Sequence, residues 1–351
     1  MIEEGGQLPQ STLHPELSRQ VENIVQHLPP IEFSRLASAE IDYYGASNNI
    51  ARSLGLSDIP YTRASWLHGW CRYPLTQIEL LALEDATVCC EPKEVPNLVS
   101  SLEQEIFLKQ HGYQHSKAVG LPFIYTKEPT VDRIPNSLLI IPEHSVKENN
   151  VNYEGSKALS TPYSANELRE RFSTVVACIG GFCVQKNNYL DIYENAAIPW
   201  VTGAWLHDAF ALQRMRNLFC QFEYVATNAM GSHVPYAGFS GCKVSYYGKG
   251  HNRPREDYLS TPIYEKYPHL IDIVDEEQKI EVLRERYPFL FSDIENSNQI
   301  KEWSNEVLGS KNKIPEQQVA ELIGWKIRPK DEMSWEYIPG ENPGVDDPSR
   351  G

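Results

Sequence analysis

Residues 215–248, MRNLFCQFEYVATNAMGSHVPYAGFSGCKVSYYG, decide the predicted fold. They contain the end of an amphipathic helix (208–220), an apolar strand (223–227), a turn of small residues and a second strand (243–247). Three more apolar runs precede them, at 137–142 (SLLIIP), 174–179 (TVVACI) and 198–202. Strands that are apolar throughout and alternate with helices predict a parallel sheet covered on both faces.

A shorter set of predicted elements precedes this sheet. It consists of a helix opened by the capping box at 76–79, a strand at 87–90, a helix at 98–111 and a strand at 117–125. The apolar face of the 98–111 helix is predicted to be Leu98, Leu102, Ile106 and Phe107, with Gly112 ending it. The sequence therefore predicts an α/β protein with two Rossmann-like lobes, parallel sheets with helices on both faces, and extra C-terminal helices.

The composition of the segments sets the expected organisation of the chain. We expect a helical preface (1–30), a first lobe (31–127), a second lobe (137–250), a helical region without further strands (251–337, with helices at 276–286 and 315–323) and a disordered tail (338–351).

The overall charge and the apolar runs exclude several kinds of partner. The net charge is −15, whereas nucleic-acid binding calls for a basic surface. No stretch approaches the roughly 20 apolar residues of a membrane span. The polar and acidic N-terminus is expected to be neither a signal peptide nor a transit peptide. The seven cysteines lack the spacing of metal ligands and are expected to be buried free thiols.

The strongest local signal is the turn 227–237, TNAMGSHVPYA, which follows a predicted strand and leads into a helix. Small residues there allow close approach of the backbone, and the N–H groups at the start of a helix favour an anion. Asn228, Gly231, Ser232 and His233 are therefore candidate phosphate ligands. In the alternative, Asn228 and Ser232 only cap the helix.

Two further segments carry candidate acids or bases. His68 lies in SWLHGW (65–70) and is a candidate general base, or else a partly buried histidine in an aromatic patch. Glu143, His144 and Ser145 follow the strand 137–142, at the edge where parallel sheets bind ligands. Glu143 is a candidate acid or base, or a ligand of a ribose hydroxyl, and the other two are candidate phosphate ligands, unless the segment is merely a polar loop.

Three other candidates lie after the next two strands of this sheet. Gly180 and Gly181 allow a ligand to approach the backbone, or form a tight turn. Arg214 is a candidate diphosphate ligand, or an ordinary surface arginine. Asp208 is expected to be the N-cap of the helix that carries Arg214.

Several enzyme classes lack their motifs. The sequence contains no G-x-x-x-x-G-K-[ST], H-E-x-x-H, G-x-S-x-G or G-x-G-x-x-G. Kinases, zinc proteases, serine hydrolases of the nucleophile-elbow type and classical dehydrogenases are therefore unsupported.

From residue 65 to 248 the chain resembles glycosyltransferases of the two-lobed B type that build bacterial capsules and lipopolysaccharides. The resemblance is carried by SWLHGW, KAVGLPFIY (117–125), SLLIIPEHS (137–145) and, above all, residues 215–248. The segment Trp66-Leu67-His68-Gly69 is also similar to the Trp-His-Gly loop of teichoic-acid polymerases, with Leu67 as an extra residue.

The resemblance implies transfer of a sugar from a nucleotide-sugar donor to an oligosaccharide or lipid-linked glycan, without a metal or other cofactor. In that mechanism His68 or Glu143 activates the acceptor hydroxyl. The implied donor ligands are His144, Ser145, Gly180, Gly181, Arg214, Asn228, Gly231, Ser232 and His233. The implied location is the cytoplasm, with peripheral association at the inner face of the membrane as an option. Two alternatives stay open: a nucleotide-sugar epimerase or hydrolase on the same scaffold, and a non-catalytic glycan-binding or assembly protein.

Overall fold

A computed structural model confirms the α/β fold, with a five-stranded and a three-stranded parallel sheet flanked by helices. It describes residues 15–33, 43–56, 59–60, 62, 64–82, 93–143, 159, 161–187, 190–248, 255–259, 262–330 and 335–338. The strands are β1 Ser65–Trp66, β2 Asn97–Val99, β3 Ser116–Ala118, β4 Ile134–Ile141, β5 Thr174–Ile179, β6 Trp200–Thr202, β7 Phe222–Thr227, β8 Lys243–Tyr246, β9 Ile327–Pro329 and β10 Trp335–Tyr337.

The α-helices are α1 Pro15–Val25, α2 Ala46–Ser53, α3 Ile78–Ala82, α4 Leu102–Gln110, α5 Ala165–Arg171, α6 Gly181–Gln185, α7 Leu190–Asn195, α8 Ala211–Gln221, α9 His233–Phe239, α10 Arg255–Leu259, α11 Pro262–Lys266, α12 Leu270–Gln278, α13 Ile280–Arg286, α14 Lys301–Val307 and α15 Glu316–Leu322. Short 3₁₀ helices are Tyr43–Gly45, Pro122–Tyr125, Pro288–Leu290, Ile294–Asn296 and Ser310–Asn312. None of the helices in these described ranges is long and apolar enough to cross a bilayer.

The large sheet has the strand order β6-β5-β4-β7-β8, and all its neighbours are parallel. Its strands confirm the apolar runs predicted from the sequence. Leu139 and Ile141 of β4 pack in one core cluster and Leu138 and Ile140 in another, because successive side chains of a strand point to opposite faces. The chain adds β5 and β6 on one side of β4 and then β7 and β8 on the other. The direction of winding therefore switches between β4 and β7, where such sheets bind ligands at their carboxyl ends.

The small sheet has the order β1-β2-β3, also parallel. It corrects the prediction of a helix over 98–111, because Asn97–Val99 is a strand and the helix begins at Leu102 after the N-cap Ser101. The predicted strand at 117–125 is shorter, since β3 ends at Ala118. The predicted strand at 87–90 lies outside the described residues.

The predicted apolar face of α4 is also wrong. Leu102 and Ile106 are 55% and 47% exposed, whereas Gln104 and Glu105 are buried. The Gln104 side chain accepts hydrogen bonds from the N–H groups of Ser100 and Ser101, and Glu105 accepts one from the N–H of Ala118. The helix thus turns two polar side chains inward because they satisfy backbone groups at the ends of β2 and β3.

The N-terminal and C-terminal segments pack against both sheets. The His27 carbonyl accepts from Asn217 on α8, so the predicted preface lies against the large sheet. Further along, the Leu121 N–H donates to the Leu308 carbonyl after α14, and α14 itself packs on α9. One buried cluster extends from Trp66 in the small sheet to Val225 in the large one. The two sheets are therefore joined by a shared core.

The expectation that no strand follows residue 250 is wrong. The strands β9 and β10 form an antiparallel hairpin, and the Trp335 N–H donates to the Leu54 carbonyl at the end of α2. The predicted helices at 276–286 and 315–323 correspond to α12 with α13, and to α15. Of the predicted tail, Ile338 donates its N–H to the Lys326 carbonyl, and residues 339–351 lie outside the described residues.

Gly309 joins the C-terminal segment to the small sheet and gives a test of that contact. It has φ +74°, and a Cβ there would lie 1.9 Å from the Ser100 carbonyl oxygen. Gly112 also has a positive φ, but a Cβ there would approach only the flexible Lys93 side chain, at 3.4 Å. Alanine at either position should cost about 1 kcal/mol of backbone strain. Gly309→Ala should cost about 2 kcal/mol more than Gly112→Ala, measured by urea unfolding, because the backbone must also move. Equal losses would contradict this packing.

Candidate functional site

The carboxyl ends of the two sheets meet at one surface. Residues 67–72, which we call the β1 loop, follow β1, and residues 228–233, the β7 turn, follow β7. The Trp70 N–H donates to Ser232 Oγ at 2.8 Å, and the Arg72 guanidinium donates to the Met230 carbonyl. At the start of the β1 loop, the His68 carbonyl accepts from the Tyr236 hydroxyl on α9 at 2.5 Å. The segments at the carboxyl ends of the two sheets are thus in direct contact.

Hydrogen bonds within residues 227–234 fix the conformation of the β7 turn. Thr227 Oγ1 accepts from the Ala229 N–H at 3.1 Å and lies 2.9 Å from His233 Nε2, and the Val234 N–H donates to the Gly231 carbonyl. Within the described part of the chain, no group accepts from the N–H of Met230, Gly231 or Ser232. The residues of the turn are half-buried, and these three amides are candidates for binding an anion.

The alternative in which Asn228 and Ser232 only cap α9 is not what the structure shows. α9 has no side-chain cap, since Ser232 Oγ is engaged with the β1 loop. Asn228 Oδ1 accepts from the Glu143 N–H at 2.8 Å, across the point where the winding of the large sheet switches. Glu143 is half-buried beside the β7 turn. The neighbouring candidates His144 and Ser145 lie outside the described residues.

His68 is surrounded by aromatic rings. Its ring centroid is 5.4 Å from that of Tyr43, edge-to-face, and 5.2 Å from that of Tyr44. Tyr43 in turn is 6.2 Å from His207, in the segment after β6. Both the catalytic and the aromatic-patch interpretations of His68 are compatible with this half-buried position at the carboxyl end of β1.

No family model matches the chain, and a search of curated proteins finds no similar sequence. The function is therefore inferred from the residues of the site.

Arg214 does not fit its predicted role as a diphosphate ligand. It is 6% exposed, and its guanidinium donates to the carbonyl groups of Thr202 at 3.0 Å and Pro29 at 2.8 Å. Burial lowers the pKa of Arg214, and the nearby Asp208 carboxylate partly opposes that shift. Arg214 thus links β6 to the segment after α1, inside the protein.

Asp208 is not the helix N-cap that the sequence predicts. α8 begins at Ala211 after the N-cap Phe210, which makes no side-chain cap. The Asp208 side chain is fully buried and accepts from the N–H groups of Glu32 and Phe210, both at 3.0 Å. Burial raises its pKa, against the effect of these bonds and of Arg214.

The two glycines after β5 also differ from the prediction. A Cβ on Gly181 would lie 2.0 Å from Nε1 of Trp205, so an indole ring occupies the space expected for a ligand. The Gly181 N–H donates to the Ala204 carbonyl at 3.1 Å. Gly180 is the N-cap of α6 and remains at the carboxyl edge of the sheet. The glycine pair therefore permits close packing between two segments of the large sheet.

Sequence reasoning missed several residues of this surface. Arg72 contacts the β7 turn and Tyr236 contacts the β1 loop. Both lie in segments in which only a nearby histidine was predicted to be functional. The pair Tyr43-Tyr44 before Gly45 was visible as two aromatics at a turn, and His207 as a histidine after a predicted strand. Nothing in the local pattern indicated that the two tyrosines would meet His68, or that His207 would meet Tyr43.

The described residues contain no cluster of metal-ligating side chains. Among the described residues, no three His, Cys, Asp or Glu side chains lie close enough to hold a metal ion. The described cysteines are free thiols, of which Cys178, Cys183, Cys220 and Cys242 are buried and Cys71 is partly buried.

Proposed function

We propose that the protein transfers a sugar from a nucleotide-sugar to a surface-glycan acceptor, where the β1 loop meets the β7 turn. The observation that carries the proposal is the β7 turn itself. It lies at the switch point of a parallel sheet, has three N–H groups without a described partner, and contacts the carboxyl edge of a second sheet. The resemblance of residues 65–248 to two-lobed B-type glycosyltransferases supports the same function.

The donor phosphates would bind at the β7 turn. Backbone N–H groups of Gly231 and Ser232 can donate to phosphate oxygens, and Arg72, whose guanidinium contacts the Met230 carbonyl, places a positive charge beside them. As the glycosidic bond to the donor breaks, negative charge grows on the leaving diphosphate. Groups that are already oriented stabilise this charge without reorganising, which lowers the barrier.

The acceptor hydroxyl must lose its proton as it attacks. His68 and Glu143 are the proposed bases, because they follow β1 and β4 at the two edges that meet. The backbone of both residues is hydrogen-bonded: the His68 carbonyl accepts from Tyr236, and the Glu143 N–H donates to Asn228. These bonds fix the position of the backbone that carries each side chain.

A thermal-shift screen tests the proposal. CMP, UDP, GDP and their sugars are added to the full-length protein, and a ligand at a hundredfold excess over its dissociation constant should stabilise the folded state by about 2.7 kcal/mol. The nucleotide-sugar that binds is then incubated without acceptor. Rapid conversion to an epimer or to free sugar would support the alternative enzymes. Binding of glycans without binding of any nucleotide would support a non-catalytic protein.

Gly231 allows the charge of the β7 turn to be changed with a matched control. Its φ is not in the left-handed region, and a Cβ there would approach only the His233 side chain, at 3.3 Å. Gly231→Asp should weaken nucleotide binding about tenfold or more, because a carboxylate repels the phosphates. Gly231→Asn has nearly the same size and no charge, and it should bind more tightly than Gly231→Asp. Equal affinities of the two variants, measured by calorimetry, would place the phosphates elsewhere.

A further inference from the structure

We infer that Tyr43, Tyr44, His68 and His207, which we call the aromatic cluster, form a subsite that binds a pyranose ring of the acceptor. The inference rests on the proposed function, since it names where the acceptor sits. It adds a second binding site, which is near the β7 turn but shares no residue with it.

The four rings come from three separate segments at the carboxyl edges of both sheets. Tyr43 stands edge-to-face with His68, at an interplanar angle of 88°, and Tyr44 is tilted by 53° against the same ring. The ring of His207 lies 6.2 Å from that of Tyr43, between centroids, and His207 is exposed. Tyr43, Tyr44 and His68 are half-buried, so the cluster is part of the accessible surface.

The backbone that carries the two tyrosines is held in an unusual conformation. Tyr44 has φ +61° and Gly45 has φ +74°, a region that a residue with a Cβ rarely adopts. The Tyr44 N–H donates to the Leu206 carbonyl at 2.7 Å, and Asn48 Nδ2 donates to the Ala209 carbonyl at 2.6 Å. A Cβ on Gly45 would lie 2.0 Å from that same Ala209 oxygen. The surroundings therefore impose the conformation, and the rings are oriented before a ligand arrives.

The chemistry of the cluster matches a sugar. Aromatic faces carry partial negative charge and attract the polarised C–H groups on the face of a pyranose. The imidazole nitrogens of the exposed His207 can exchange hydrogen bonds with the sugar hydroxyls. Because His68 is a proposed base, the hydroxyl that it activates must lie beside it, and a sugar in that position meets Tyr43 or Tyr44.

Saturation-transfer NMR tests the subsite without knowledge of the natural acceptor. The probes are methyl β-D-glucopyranoside, methyl β-D-galactopyranoside and methyl α-D-mannopyranoside, added to the full chain. At least one should receive saturation, and Tyr43→Leu should reduce that signal about threefold to tenfold, because a ring contact is lost. Tyr163→Leu is the control, since Tyr163 is also half-buried, but its partners are Arg171 and Glu295, away from the aromatic cluster. His207→Ala is a second variant, at an exposed position, and it should also reduce the signal.

The outcomes separate this inference from the proposed function. Absence of saturation on every glycoside, or equal signals in Tyr43→Leu, His207→Ala and Tyr163→Leu, would overturn the subsite. Thermal shifts with nucleotides are measured on the same variants. A Tyr43-dependent glycoside signal without any nucleotide shift would keep the subsite and refute the transferase. A nucleotide shift that disappears with Tyr43 would instead assign the rings to the nucleobase and overturn the inference.

Discussion

Glutamine in place of the general base is expected to lower kcat by about 10²–10⁴, because positioned proton transfer contributes that much to catalysis. The candidates are His68 and Glu143, and the larger loss identifies the base. His68→Gln and Glu143→Gln both keep the backbone groups that bond to Tyr236 and Asn228, so the β1 loop and the β7 turn should stay in place. The measurement is initial-rate kinetics with the nucleotide-sugar that stabilises the protein.

A remote histidine provides the matched control for this experiment. His111 is exposed at the C-terminal end of α4, where its ring bonds to the Phe107 carbonyl. His111→Gln should leave kcat unchanged. The pH profile of kcat should lose its rising limb only in the variant that removes the base. If both site variants keep kcat within about threefold of wild type while nucleotides still bind, neither residue is the base.

Arg214→Met is expected to lower the free energy of unfolding by about 3 kcal/mol at pH 7, because two buried carbonyl groups lose their donors and the buried Asp208 loses a nearby positive charge. Methionine keeps the apolar stem but removes the donors to the carbonyl groups of Thr202 and Pro29. Urea unfolding measures the loss. A surface arginine that binds phosphate would behave differently, with little change in stability and weaker nucleotide binding.

The same variant should show a pH dependence with a definite sign. Burial raises the pKa of Asp208 in the folded state above its unfolded value. The unfolded state therefore binds fewer protons between the two values, and this residue makes folding less favourable as the pH rises through that window. Without Arg214 the folded pKa should rise further. The deficit of Arg214→Met should then be largest near neutral pH and shrink as acid protonates Asp208.

A double-mutant cycle separates the charge from the packing. Asp208→Asn removes the negative charge and can keep an oxygen for the N–H groups of Glu32 and Phe210. In the Asp208→Asn background, Arg214→Met should cost less than it does alone, by about 1 kcal/mol or more. An equal cost in both backgrounds would show that only the hydrogen bonds of Arg214 matter.

The elements that local sequence could predict are those whose stability depends on neighbouring residues. The runs 137–142 and 174–179 are apolar throughout, which only a strand covered on both faces requires, and they became β4 and β5. The capping box of Ser164 and Glu167 involves atoms three residues apart, so the sequence predicts the start of α5. The turn after β7 was recognisable for the same reason, since small residues follow a buried strand.

Local sequence patterns could not predict which polar side chains are buried. The sequence 98–111 reads as a helix with an apolar stripe, yet Gln104 and Glu105 are buried because Ser100 and Ala118 offer them N–H groups. Arg214 and Asp208 look like surface residues until the segments around Pro29 and Glu32 enclose them. A hydrogen bond between distant segments leaves no periodic trace in either of them.

The sequence by itself determined the α/β class and the strands of the large sheet, and it predicted the turn of small residues at Gly231. These follow from hydrophobic periodicity and from the conformational freedom of small residues, which act over a few positions. Only the tertiary structure decided that the His68 and Ser232 segments touch, that Tyr43 and Tyr44 surround His68, and that Arg214 faces inward. Those contacts join residues in separate segments of the chain or depend on burial, and burial is a property of the whole packed chain.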